Sequence, residues 1–176
     1  MRRAAVRAWL SLGSNLGRPR ERLAWALREL DRLPSTRLVR ASRVLRSSPV
    51  GAPGQPDFLN RCALVATRLS PMGLLAELKR LEGVAGRRPG PRWGPRPLDI
   101  DIVFYGRERI ASRLLRVPHP RAAERRFVLE GLAELSPGFR PPWRPRRPLG
   151  AWLARLNDPS QNVNVYRRSR RHGQAR

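Results

Sequence analysis

Two carboxylates, Asp99 and Asp101, stand two residues apart in the apolar run Leu98-Asp99-Ile100-Asp101-Ile102, directly after Arg92-Trp93-Gly94-Pro95-Arg96-Pro97. Strand side chains alternate faces, so the run predicts a strand over 98–105. It sets Asp99 and Asp101 on one face and Leu98, Ile100, Ile102 and Phe104 on the other. Carboxylates on like-sided positions two apart lie roughly 6.5–7 Å from each other. In an apolar setting they repel and do better with divalent cations beside or between them. Mg²⁺ takes a few carboxylate oxygens and completes its shell with water and substrate phosphates. The arginines upstream suit those phosphates, because a guanidinium fork makes bidentate contacts that an ammonium does not. The spacing reads as a site for a metal-bound polyphosphate, though two solvated carboxylates on an exposed strand would share the pattern.

The elements that must hold this strand can be read from periodicity. Residues 4–12 form an apolar strand broken by Gly13-Ser14-Asn15-Leu16-Gly17, and Pro19 opens a helix with Leu23, Leu27 and Leu30 on one side. The Gly13–Gly17 turn is either a plain strand-to-helix connection or a place where backbone N–H groups meet an anion. Residues 36–46 and 58–67 read as further strands, separated by a turn-rich loop over 47–57. Ser70-Pro71 is an N-cap followed by a first-turn proline. Leu74, Leu75, Leu78 and Leu81 line the resulting helix, and Gly86 is its stop. A third helix is expected over 121–135, burying Phe127, Val128, Leu132 and Leu135, and Pro148 starts a short amphipathic piece with Trp152, Leu153 and Leu156. The order βαββαβ followed by a helix predicts an α+β fold, a ferredoxin-like sandwich with a mostly antiparallel sheet and helices packed on one face.

The chain has 176 residues, 40% of them hydrophobic, enough for one domain with a sizeable core. Its formal charge of +24 raises nucleic-acid binding as a rival function. Lys79 is the sole lysine, however, and the excess of arginine, alanine, glycine and proline looks more like GC-rich coding than selection for a nucleic-acid surface, which discounts the charge without cancelling it. The domain is expected over 1–156, with 157–176 a solvated, partly disordered Arg-rich tail; nucleic-acid binding by that tail is the minor alternative. The lone Cys62 excludes an intrachain disulfide framework and fits a reducing cytoplasm. Arg7 interrupts the only candidate leader, and no apolar run reaches eighteen residues, so a soluble monomer is expected. A G-x-x-x-x-G-K-[ST] loop, a G-x-G-x-x-G fingerprint after a strand and the protein-kinase signature set are all missing from the sequence.

Four separated segments agree in order and spacing with one family. They are Leu12-Gly13-Ser14-Asn15-Leu16-Gly17, Gln55-Pro56-Asp57-Phe58-Leu59-Asn60, the block from Arg92 to Ile102, and Val117-Pro118-His119 followed by Arg125 and Phe127. On these the chain resembles 6-hydroxymethyl-7,8-dihydropterin pyrophosphokinase, which transfers pyrophosphate from ATP to the hydroxymethyl group of a reduced pterin in folate biosynthesis. The resemblance implies that Asp99 and Asp101 hold two Mg²⁺ ions on the ATP phosphates, with Arg87, Arg96 and Arg125 as the other catalytic groups. It puts ATP against Arg88, Arg92, Trp93, Ile102 and His119. It stacks the pterin between Phe58 and Phe127, with Asn60 reading its polar edge and Ser48, Val50 and Gly51 contributing backbone contacts. Loops 47–57 and 83–97 would close over the substrates. The chain departs from the family where a second arginine is usual, at Pro89, beside which Arg88 could substitute, and where the usual tyrosine wall appears as Phe58.

Overall fold

The computed structural model describes residues 3–49, 54–88, 94–156, 158 and 161–167. Expectations for Val50, Gly51, Pro89, Arg92, Trp93 and the arginines after 167 lie outside the described residues.

Strand β1 (Val6–Ser14) lies between β4 (Phe58–Thr67) and β5 (Asp99–Tyr105). On the far side of β4 run β2 (Thr36–Ala41) and β3 (Leu45–Ser47), and β8 (Val163–Val165) pairs with β3 at the edge. Every pairing among the described strands is antiparallel. The single strand expected over 36–46 is two, because Ser42, Arg43 and Val44 leave the ladder: the Ser42 N–H bonds to the Cys62 carbonyl and its hydroxyl accepts from the Cys62 N–H. A separate hairpin, β6 (Ile110–Ala111) with β7 (Arg116–Val117), lies outside the main sheet.

Helix α1 (Pro19–Arg32) starts on its proline, carries Glu21 in the first turn and Arg32 in the last, and buries Leu23, Leu27 and Leu30. Helix α2 (Pro71–Val84) is capped by Ser70, whose hydroxyl accepts from the Gly73 N–H at 3.0 Å. It ends where Gly86 turns to φ +88°, a conformation that glycine adopts without penalty. Both helices pack on the face formed by Ala8, Leu10, Leu12, Ile100 and Ile102. Helices were expected on that face alone. The other face is covered too, by α3 (Arg126–Leu135) and α4 (Leu149–Arg155), against Trp9, Cys62, Leu64, Val103 and Phe104. The approach of α3 is close enough that a Cβ on Gly131 would stand 2.6 Å from the Cys62 sulfur. Rings of Trp9, Phe104, Phe139, Trp143 and Trp152 continue this second layer, with Trp9 stacked on Phe139 at 4.2 Å.

The expected face of Phe104 is corrected. Trp9 pairs with Phe104 and Leu10 with Ile102, so Val103 is an extra residue, a β-bulge. Alternation resumes with the opposite phase beyond it. Phe104 joins the Trp9 layer while Tyr105 turns toward α1 and α2 and donates its hydroxyl to the Leu69 carbonyl at 2.6 Å.

Candidate active site

The second face of the sheet changes character along its length. At the α3–α4 end it is apolar; at the other end β1 presents Ser11 and Gly13, β4 presents Phe58 and Asn60, and β5 presents Asp101 and Asp99 in register with Ser11 and Gly13. A cavity of about 310 Å³ opens above this patch, walled also by Ser47, Ser48, Arg96, Arg121, Arg125 and Phe127. Gly13 forms its floor: a Cβ there would come within 3.1 Å of the Asn60 carboxamide oxygen. The Gly13–Gly17 turn is a clamp between loops. Asn15, almost wholly buried, donates to Gln55 Oε1 and the Pro56 carbonyl, each at 3.2 Å, and accepts from the Arg96 N–H at 2.8 Å. Ser14 adds a bond to the Pro97 carbonyl at 2.6 Å. Both loops that flank the cavity are thereby tied to the end of β1.

Asp99 accepts from Arg87 Nη1 at 2.5 Å and from Arg96 Nη1 at 2.9 Å. Arg87 also meets Glu82 at 2.6 Å, and Glu82 binds Lys79 at 2.9 Å and accepts the Ile100 N–H at 2.7 Å. Glu82 is only 2% exposed, so this carboxylate is a fixed buried anchor for Arg87. Burial alone would lower the Arg87 pKa, but Asp99 and Glu82 outweigh it and hold the guanidinium above its ordinary value. The Asp101 carboxyl is pushed up by burial and by the neighbouring Asp99 charge, against the opposing pull of His119, Lys79 and Arg125.

His119 Nε2 stands 3.8 Å from Asp101 Oδ2, with its main-chain N–H on the Val103 carbonyl at 3.0 Å. Burial depresses its pKa despite Asp101, so the imidazole is neutral near pH 7. Its Nδ1 accepts the Arg121 N–H at 3.2 Å, which assigns the proton to Nε2 and makes that atom a donor on the Asp101 side. Burial also depresses Arg125, another lining residue, against the opposing pull of Asp101 and Asp99.

Of the residues singled out by the sequence, Arg96, Asp99, Asp101, Arg125, Ser48, Phe58, Asn60 and Phe127 share the one cavity. Asn60 is buried and donates to the Ser47 hydroxyl at 2.8 Å, leaving its carboxamide oxygen toward Gly13. Arg87 and Arg88 line a neighbouring cavity of about 670 Å³ with Lys79 and Glu82, and Arg96 borders both. The Ile102 side chain is not brought to the site; it is buried between the sheet and the first two helices. Sequence reasoning missed Ser11, Ser47, Arg121, Asp158 and Gln161 in the wall. It missed Glu82 as well, although 74, 78 and 82 continue one helical stripe, where a charge amid leucines signals a buried partner.

Sheet order and layering define an α+β domain of the ferredoxin-like kind. Plasmodium falciparum HPPK-DHPS crystallised with SDX-DHP superposes on 85% of this chain with a TM-score of 0.62 at 14% identity. The chain spans 43% of that longer protein, so the likeness bears on the fold. A model of the 7,8-dihydro-6-hydroxymethylpterin-pyrophosphokinase (HPPK) family matches residues 9–137. The 2-amino-4-hydroxy-6-hydroxymethyldihydropteridine pyrophosphokinase of Pseudomonas aeruginosa is 44% identical over 136 residues, covering 77% of this chain and 84% of that one. Its counterpart in Haemophilus influenzae is 43% identical over 131 residues, covering 74% and 82%. The chain belongs to the HPPK family. It is an enzyme of the pyrophosphokinase class, which transfers diphosphate from ATP, and its reaction is pyrophosphate transfer to hydroxymethyldihydropterin in folate synthesis.

Proposed function

We propose that the transfer is Mg²⁺-dependent and releases AMP, with the aspartate end of the cavity for the triphosphate and the aromatic end for the pterin. The observation that carries this reading is the presence in one cavity of Asp99 and Asp101 from β5 with Phe58 and Asn60 from β4, on opposite sides of β1, and Phe127 from α3. The donor set suits a hard cation completed by phosphate and water oxygens. The two carboxylates share a face, and among the described residues no group of three or more His, Cys, Asp or Glu forms a complete protein cage. Asp99 and Asp101 would hold two Mg²⁺ ions, which would neutralise phosphate oxygens and polarise the β-phosphorus.

The chain's own groups supply the rest. Arg87 and Arg96, now on Asp99, are within reach of an entering triphosphate; Arg125 faces it across the cavity, Arg88 lies at the outer rim, and His119 donates from Nε2. Phe58 and Phe127 are half-buried rings flanking a slot, and offset stacking adds about 0.5–1.5 kcal/mol per ring beyond area burial. Asn60, fixed by Ser47, orients the polar edge of the pterin. The pterin hydroxymethyl oxygen forms a bond to Pβ as the bond from Pβ to the AMP oxygen breaks; the hydroxyl proton passes to solvent and AMP departs.

The reading carries with it a monomer acting in the cytoplasm, and no described helix is long and apolar enough to cross a membrane. The test is AMP release from ATP, Mg²⁺ and 6-hydroxymethyl-7,8-dihydropterin, with pterin-free and EDTA controls. AMP formed only when pterin and metal are both present is the expected result; equal AMP in EDTA would overturn the metal assignment.

A further inference from the structure

The stretch after α4 lies outside the residues matched to the family, yet part of it stands in the cavity wall. Asp158 and Gln161 both line the cavity, on the same side as Arg121, Glu124 and Arg125. The Gln161 side chain makes three bonds there. Its Oε1 accepts the Arg126 N–H at 2.7 Å, and its Nε2 donates to the Glu124 carbonyl at 2.7 Å and to Asp158 Oδ2 at 2.8 Å. The first two contacts fall on the peptide groups immediately before and after Arg125, so one carboxamide grips the backbone of that residue from both sides.

Arg125 needs such a grip. It is the N-cap of α3 with an extended backbone, φ −104° and ψ 110°, and offers no side-chain bond to the helix start. An uncapped helix N-terminus leaves its first N–H groups without partners. A guanidinium is a donor only and cannot cap these N–H groups, so Gln161 supplies the acceptor from elsewhere in the chain, and the Arg125 side chain lines the cavity. The other end of the stretch is tied down independently. Val163, Asn164 and Val165 pair with Ser47, Arg46 and Leu45, and the Tyr166 N–H reaches the Val44 carbonyl at 2.9 Å. Arg46 lies over the Tyr166 ring at 5.6 Å. The strand that carries Ser47, the partner of Asn60, is thus joined to the start of α3, which carries Arg125 and Phe127.

We propose that Gln161 is a positioning residue for the reaction. It fixes the backbone of Arg125, and the C-terminal strand holds it there as a wall of the substrate cavity. The inference rests on the role proposed above for Arg125, and a double-mutant cycle separates the two. Full-length wild type, Gln161→Ala, Arg125→Ala and the double variant are compared by kcat and KM for ATP and pterin, with thermal midpoints recorded.

Gln161→Ala should keep a cooperative thermal transition and lose about tenfold in kcat/KM, while the same change in the Arg125→Ala background should cost less than twofold. Equal losses in both backgrounds, or normal kinetics with only a lowered thermal midpoint, would overturn the proposal. Wild-type kinetics for Arg125→Ala alone would instead remove the role assigned to Arg125. Should Gln161→Ala fail to fold, Gln161→Glu serves in its place. It keeps the acceptor for the Arg126 N–H and loses the donor to Glu124 and to Asp158, and full activity in that variant would overturn the proposal.

Discussion

Replacing Glu82 with glutamine tests whether a buried carboxylate outside the cavity floor holds the phosphate-side arginine in place. The change preserves shape and an oxygen for the Ile100 N–H, now accepted at 2.7 Å, but removes the charge facing Lys79 and Arg87. Breaking a fully buried pair costs about 3–5 kcal/mol, whereas exposed pairs are worth about 0.2–1 kcal/mol. Glu82 is 2% exposed but its partners are 46% and 25% exposed, so water compensates them in part and about 2–3 kcal/mol is expected. That corresponds to a fall of roughly 4–12 °C in Tm for a chain of this size. Glu82→Ala should cost about 1–3 kcal/mol more, because the Ile100 N–H would lose its acceptor. Urea unfolding at pH 7 followed by circular dichroism supplies the measurement. A Glu82→Gln loss below about 0.5 kcal/mol with the m-value unchanged would refute the anchor, since the carboxylate charge would then contribute nothing.

Asp99→Asn and Asp101→Asn should each lower pyrophosphoryl transfer by at least about 10³-fold, equivalent to about 4 kcal/mol of barrier, while far-UV circular dichroism stays native. Near-normal turnover in both would remove the two-metal assignment. Phe127→Ala should weaken pterin binding about tenfold in a fluorescence titration, and global unfolding instead would make the ring a core residue. Cys62 is buried and its thiol is pushed up from 9.0 to about 12 by burial, with Glu134 adding to the rise. A raised folded value means the unfolded chain loses this proton first, so the contribution is complete below pH 9 and is lost as pH rises from there toward 12. Iodoacetamide at pH 8.5 should accordingly label Cys62 only in denaturant, and rapid labelling of the native protein would contradict that burial.

Much of the site was legible because its residues lie in continuous segments with strong local signals. Asp-x-Asp on an apolar strand, arginines just upstream and a capped helix before them need only local rules to be read. The fold was legible for the same reason, since Leu23, Leu27 and Leu30 keep a helical spacing and 58–67 is a strand-like apolar run. What was lost depended on contacts distant in sequence. The break at Ser42 follows from bonds to Cys62, twenty residues on. On the second face α3 lies so close over β4 that Gly131 meets Cys62, and a glycine in a helix predicts no such approach by itself. Gln161 sits in a polar stretch with no periodic pattern, and only the cavity gives it meaning.

The bulge at Val103 ties these two levels together. An unbroken strand from Asp99 would have alternated to its end, and Phe104 would have entered the layer under α1 and α2, where Tyr105 now stands. With the extra residue, Val103 and Phe104 both enter the aromatic layer, so one face can be a reaction surface at Asp99 and Asp101 and a packed core three residues later. β5 is the edge of the main sheet, and its Val103 carbonyl accepts the His119 N–H. That bond holds the His119 backbone against β5, with the imidazole 3.8 Å from Asp101. The regular part of β5 thus carries the carboxylates, and the departure from regularity just beyond them turns Phe104 into the buried layer on the same face.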